Sequence, residues 1–166
     1  MEDTKEKIRI PVIYVDRPRH TGALPREKSP TVEVVIGFDP DLNMDDLHPP
    51  KGKFRKFVRA RALVDTGADE IFLDKKLVSR TGCPVIEGPA MTVKSPHGEK
   101  IHDRHRAQII FPYVGLKAEV EVFSAEIQDG TRAYDAIFGT SFLELGCLVV
   151  DPRGDSHFTF HSNSTR

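Results

Sequence analysis

The chain of 166 residues has no tryptophan, only two cysteines, and no apolar run approaching the ~20 residues that a membrane-spanning helix needs. Those absences exclude a disulfide-stapled scaffold and a helical membrane protein. An excess of one charge is missing as well. Twenty-four Lys and Arg stand against 25 Asp and Glu, so no net field draws in nucleic acid or anionic lipid, and neither is expected as a partner. Cys83 and Cys147 have no metal-ligand spacing and read as reduced, buried thiols. Met1 to Lys7 is polar with no apolar stretch behind it, which does not read as a secretory signal; cytoplasmic residence is expected.

Hydrophobic residues at 39% with charged residues at 30% describe an ordinary globule of one domain. Twelve Gly and twelve Pro cut the chain into short segments that alternate rather than repeat at helical spacing, so the fold class is mostly β. Val32, Val34 and Ile36 alternate with Thr31, Glu33 and Val35. Val58, Ala60 and Ala62 alternate with Arg59 and Arg61, up to an end, Leu63-Val64, that is apolar at both positions. Ala107–Phe111 and Ala118–Val122 flank a turn at Pro112 to Gly115 and read as a hairpin. A second hairpin is expected from Met91–Val93 and Lys100–His105 around Ser95-Pro96-His97-Gly98, with faces polar enough to project from the body. Two short helices are expected. One runs from Asp74 to Arg80 before Gly82, the other from a capping Ser141 to Leu145 before Gly146.

Chemistry is carried first by Leu63-Val64-Asp65-Thr66-Gly67-Ala68, which sets a carboxylate at the end of an apolar strand on a turn tightened by Gly67. Asp-Thr-Gly arises by chance in roughly three chains per hundred of this length, so alone it is also satisfied by a plain strand-ending turn in which Asp65 accepts backbone hydrogen bonds. A second feature lies ~70 residues on. Ala136-Ile137-Phe138-Gly139, a short helix, and Gly146-Cys147-Leu148-Val149-Val150 repeat the order strand, Gly, helix, strand.

With both features in view, roughly Pro30 to Phe160 resembles the retropepsin family of single-domain aspartic proteases. The resemblance implies a closed acid-protease barrel, homodimeric, hydrolysing peptide bonds without metal or cofactor. Asp65 of each chain would form the catalytic pair, on an active-site loop of Thr66, Gly67 and Ala68. That chemistry needs two carboxylates sharing one proton, and the chain holds one Asp-Thr-Gly and no Asp-Ser-Gly, so the second must come from another copy across an isologous two-fold axis. Thr66 would bond across that axis, and Gly67 would let the backbone approach substrate. Asp69, Ile137, Phe138 and the hairpin tip Ser95, Pro96, His97 and Gly98 would bind substrate, the tip as a flap that closes over the peptide. The family's tip is richer in glycine, and its Arg after the second motif's glycine is here Thr140, which removes the customary Arg to Asp pairing with Asp69.

Residues 1–29 then form an N-terminal extension, 30–161 the protease-like domain with a surface loop at 38–53, and 162–166 a flexible tail. The apolar run Ile10 to Val15 in the extension wants burial. By resemblance it joins the partner's C-terminal strand, with Phe158 and Phe160 as the mate; alternatively it folds back on its own subunit. His102 and His105 point to opposite faces of a strand and read as solvated rather than metal-binding. Arg153-Gly154-Asp155 reads as a turn, and Arg17, Arg19, His20, Arg26 and Lys28 as a solvated basic stretch. Two other readings stand beside the protease: a silent retropepsin-like module that dimerises or binds extended peptides, and an unrelated small barrel in which the motif is accidental.

Overall fold

The computed structural model describes residues 8–16, 28–44, 56–95, 98–151 and 153–161. Twelve strands and two helices follow in the order β1 Arg9–Pro11, β2 Ile13–Asp16, β3 Lys28–Gly37, β4 Val58–Val64, β5 Ile71–Asp74, α1 Lys75–Thr81, β6 Met91–Ser95, β7 Gly98–His102, β8 Arg104–Phe111, β9 Leu116–Ala125, β10 Ala136–Phe138, α2 Thr140–Leu143, β11 Gly146–Val149 and β12 His157–Phe160. The mostly-β expectation holds. Strands β3, β4, β10, β5, β9 and β8 form a sheet that β3 and β8 close into a six-strand barrel, with β2 beside β3. Strand β10 lies between β4, to which it runs parallel, and β5, to which it runs antiparallel. Two segments far apart in sequence thus end side by side.

Alternation fills the barrel. Ala62, Val64, Ile71, Leu73, Val122, Ala136 and Phe138 point inward and lie in the core. Phe142 of α2 closes one end, its ring 4.6 Å from Phe138, 4.6 Å from Phe158 and 6.0 Å from Phe111, centre to centre. Under it runs a second sheet of β1, β12 and β11. Here the apolar N-terminal run finds its place: Ile10 pairs with Phe158 of the same chain and both are buried. Of the two arrangements considered for it, the fold has the return onto its own subunit.

Helix α1 has the ends its sequence announces. Asp74 caps it by accepting from the Lys76 N–H at 2.9 Å, and Gly82 closes it in the left-handed region at φ 65°. Helix α2 departs from expectation. It starts one residue earlier, after Gly139, with no side-chain cap, and the expected cap Ser141 keeps its hydroxyl buried without a partner among the described residues. Carbonyls of a neighbouring loop do the capping instead.

Two further expectations are corrected. His102 and His105 are buried, not solvated; each ring Nδ1 meets a backbone carbonyl, that of Ser124 at 2.8 Å and of Cys83 at 3.1 Å. The polar look of their segment misled because a single hydrogen bond suffices to bury one face of an imidazole. Cys83 is buried as expected, but Cys147 is exposed, since it lies on the outward face of β11 opposite Thr159. Arg153–Asp155 does form a turn, with Gly154 donating to the Asp151 carbonyl, and Asp155 pairs with Arg9. Residues 17–27, most of the 38–53 loop and the 162–166 tail lie outside the described residues, as do Pro96 and His97.

Asp74 also binds a second segment. Its other oxygen accepts from the N–H groups of Ile127 and Gln128 at 3.0 and 2.8 Å, tying the end of β9 to the start of α1. Burial pushes the carboxyl up, but the backbone donors outweigh it and hold it below the usual carboxylate range. A depressed folded-state value stabilises above the unfolded value and loses that contribution as pH falls through the folded one. Asp74→Asn is therefore expected to cost about 1–3 kcal/mol near neutral pH, with the gap to wild type closing below about pH 4, as read by urea denaturation across pH.

Candidate active site

The parallel pairing of β4 and β10 brings Asp65 and Gly139 together. Beyond Val64 the chain turns, and Asp65 donates its N–H to the Phe138 carbonyl at 3.0 Å. The loop from Asp65 to Glu70 then lies against the start of α2. Gly139 donates to the Glu70 carbonyl at 3.1 Å, Thr140 to that of Ala68 at 2.8 Å, and Ser141 to that of Asp69 at 2.9 Å. The first N–H groups of a helix have no partner within it; here the loop supplies them. The Thr140 hydroxyl adds a bond to the Asp69 carbonyl at 3.0 Å.

Within the loop, the Asp65 Oδ1 accepts from the Gly67 N–H at 2.8 Å, so one oxygen is fixed while the residue remains half-buried. The backbone bond expected of a plain turn is thus present. It also sets the direction of the carboxylate, which is what a catalytic acid requires. Thr66 and Gly67 are exposed, Ala68 is half-buried, and the exposed Asp69 carboxylate takes no partner among the described residues.

Leu63 and Asp65 share a side of the strand, opposite to Ala62 and Val64. On that outer side Leu63 stands beside Ile137, Ile137 beside Phe72, and Phe72 beside Phe123. The four make an apolar row across β4, β10, β5 and β9, separate from the barrel core, leading to the Asp65 end. The rings of Phe72 and Phe123 lie 6.0 Å apart, and His102 at the root of the second hairpin sits edge-on to Phe72 at 5.5 Å. Met91, Val93, Lys100 and His102 share the hairpin face that turns toward this row, while Ile101 on the other face is 71% exposed. The site is a carboxylate on an apolar floor, with a β-hairpin rooted at its edge.

Four strands with apolar residues on both faces, a loop clamped by Gly139 and a projecting hairpin can now be set against known structures. No protein-family profile matches the chain, and no curated protein matches it by sequence. Solved structures do. The protease of EIAV, complexed with the inhibitor HBY-793, superposes with a TM-score of 0.51 at 20% identity over 75% of this chain and 95% of that one. A retropepsin-like aspartic protease from Rickettsia conorii superposes with a TM-score of 0.51 at 14% identity over 95% of this chain and 97% of that one.

The fold is retropepsin-like.

In this retropepsin-like frame the expected site residues divide. Asp65, Thr66, Gly67, Ala68 and Asp69 form one loop; Ile137 joins the apolar floor; Ser95 and Gly98 pair at the end of the hairpin. Phe138 does not line a cleft. It is wholly buried against Phe142, so it supports the loop from within the barrel. Sequence reading passed over Leu63, Phe72, Phe123 and His102. Their signal was the loss of alternation in Leu63-Val64, Ile71-Phe72-Leu73 and Ala136-Ile137-Phe138, since a strand apolar on both faces has a second surface to cover.

Gly139 leaves no room for a side chain: a Cβ there would lie 2.4 Å from the Ala68 carbonyl oxygen and 2.6 Å from that of Glu70. Gly139→Ala is expected to push the loop away, lowering stability by about 1–3 kcal/mol in thermal unfolding and shifting the amide resonances of Asp65 to Glu70.

Proposed function

We propose that this protein is an aspartic endopeptidase that works as a homodimer, two Asp65 carboxylates meeting at the two-fold axis. The observation that carries the reading is the Asp65 carboxylate itself, oriented by the Gly67 N–H at the end of the apolar floor, in a retropepsin-like fold. One carboxylate per chain makes half of an acid-base pair. With the second present, the ionised member takes a proton from a water held between them while the protonated member donates to the peptide carbonyl oxygen. The water oxygen bonds to the carbonyl carbon, and a proton then passes to the departing nitrogen as the C–N bond breaks. No covalent intermediate, metal or cofactor enters.

The surrounding residues suit this role. Ile137 and Phe72 offer apolar contact to side chains of an extended peptide, and the β6–β7 hairpin is assigned the part of a flap over it. Thr66 is assigned to the contact between the two loops. Asp69, whose carboxylate takes no partner among the described residues, is assigned to the substrate backbone or to the partner subunit. Thr140 cannot supply the missing Arg; its hydroxyl holds the Asp69 carbonyl instead, so the loop is braced without engaging its carboxylate.

Wild type and Asp65→Asn are to be compared on a diverse peptide library from acidic to neutral pH, with sedimentation to establish the assembly. The variant is expected to lose about 10²–10⁴-fold in kcat/KM while remaining a folded dimer. The wild-type rate is expected to follow a bell with two macroscopic limbs belonging to the pair. Specific activity is expected to fall on dilution below the dimer dissociation constant. Full activity in a strict monomer refutes the mechanism, and cleavage by neither protein favours the silent peptide-binding module.

A further inference from the structure

A second hollow lies on the same side of the barrel wall as Asp65. Alternation puts Arg59, Arg61 and Leu63 on the outer face of β4, in line with Asp65 beyond its end, and Glu33 stands opposite Arg61 on β3. Glu33, Arg59, Arg61, Pro112, Ala133 and Asp135 line a cavity of about 230 Å³. Asp135 and Ile137 share the outer face of the neighbouring segment, so the hollow continues the apolar floor rather than standing apart from it.

Its hydrogen-bonding capacity is unbalanced. A guanidinium carries five N–H donors in a fixed fork. Arg61 places Nη1 3.4 Å from the Ala133 carbonyl oxygen and Nη2 3.6 Å from the Glu33 carboxylate, and its Nε has no partner among the described residues. Arg59 is exposed, and its guanidinium makes no hydrogen bond or ion pair among the described residues. The acceptors are more occupied. Glu33 already receives the Tyr113 hydroxyl at 2.5 Å as well as its contact with Arg61, and Asp135 receives Gln128 Nε2 at 3.4 Å. The cavity's own carboxylates, Glu33 and Asp135, are each engaged elsewhere, so its two guanidinium groups retain donors that a further planar acceptor, a carboxylate, can take with two bonds.

We propose that this hollow is a distal subsite that selects an acidic side chain of the peptide substrate, held by Arg61 and Arg59; it deepens the endopeptidase reading and rests on it. Arg61 precedes Asp65 by four residues, about 13 Å along an extended strand. An extended peptide spans that in about four residues, an even step that returns the side chain to the same face as the one beside Asp65.

The test uses the full chain and matched fluorogenic peptides, taken from sequences the wild type cleaves, with Glu, Gln or Lys at each position within about five residues of the scissile bond. At one position kcat/KM is expected to favour Glu over Gln about tenfold, a preference that shrinks as sodium chloride is raised. Arg61→Met is expected to bring the ratio to about one, and Arg59→Glu, at an exposed position that folding tolerates, to turn it toward Lys. Equal use of Glu and Gln by wild type, or a ratio unmoved in both variants, overturns the proposal, as does a preference for Lys that Asp135→Asn removes. Fluorescence anisotropy with Asp65→Asn protein and a library of labelled extended peptides, each in matched Glu, Gln and Lys versions and chosen without regard to cleavage, reads the subsite without hydrolysis. A Glu preference there, with no hydrolysis by wild type, sinks the endopeptidase and leaves the subsite standing; no preference sinks the subsite.

Discussion

The N-terminus of α2 is where barrel, loop and carboxylate are fastened together. Its first N–H groups are given to the carbonyls of Ala68 and Asp69, while Gly139 ahead of it reaches Glu70. A serine or aspartate cap would have satisfied the helix alone. Using the loop as the cap makes the two conditional on each other, because neither set of polar groups is satisfied if they part. This requires a backbone approach closer than any side chain permits, which is why glycine stands at 139. It also requires β10 beside β4, since only that parallel pairing delivers Gly139 to the end of the strand that carries Asp65.

A short strand apolar on both faces serves two surfaces at once. In β4, β5 and β10 the inner residues fill a core closed by Phe142, and the outer ones form an apolar row leading to the carboxylate. Position along one strand thereby becomes position along that outer face. On β4, passing back from Asp65, the outer face reads Leu63, then Arg61, then Arg59, so the lining changes from apolar to cationic within a few residues. The core constrains only alternate positions, leaving the others free to set chemistry without altering the barrel.

Much of this was legible beforehand. The mostly-β class, the 107–122 hairpin and helix α1 with both its caps follow from alternation, turn residues and capping chemistry, all of which act over a few residues. What escaped the sequence depended on neighbours distant along the chain. Ser141 has the right chemistry to cap α2, but the loop more than seventy residues upstream takes the N–H groups of Thr140 and Ser141 and starts the helix earlier, so the Leu143 and Glu144 donors that Ser141 would have served bond to the Gly139 and Thr140 carbonyls. His102 and His105 sit in a polar segment and are nonetheless buried, because Ser124 and Cys83 offer carbonyls that only the folded barrel brings near. Cys147 is small and apolar, suited to a core, but falls on the outward parity of β11. Phe138 shares a motif with Ile137 and lies on the opposite face, so adjacency in sequence separated their roles.

The placement of the N-terminal run bears on how two copies could join. Strand β12 is central in its sheet, with β1 on one side and β11 on the other, both from the same chain. Its backbone donors and acceptors on both edges are used, so a partner's strand cannot pair with β12 unless β1 or β11 first leaves. Thr140 likewise withdraws the charged pairing that an Arg at that position would offer Asp69. Two supports that the family resemblance suggests for a dimer are therefore spent inside the subunit. Under the proposed assembly, which joins two Asp65 carboxylates, the contact falls to the Asp65–Glu70 loops and to whichever outer edge of the small sheet, β1 or β11, meets its counterpart across the axis. The exposed side of β11 carries Cys147 and Val149, with Val150 just beyond, and is the more apolar of the two; that of β1 carries Arg9 tied to Asp155. Burying apolar side chains contributes to association, whereas burying Arg9 and Asp155 first costs the desolvation of an ion pair.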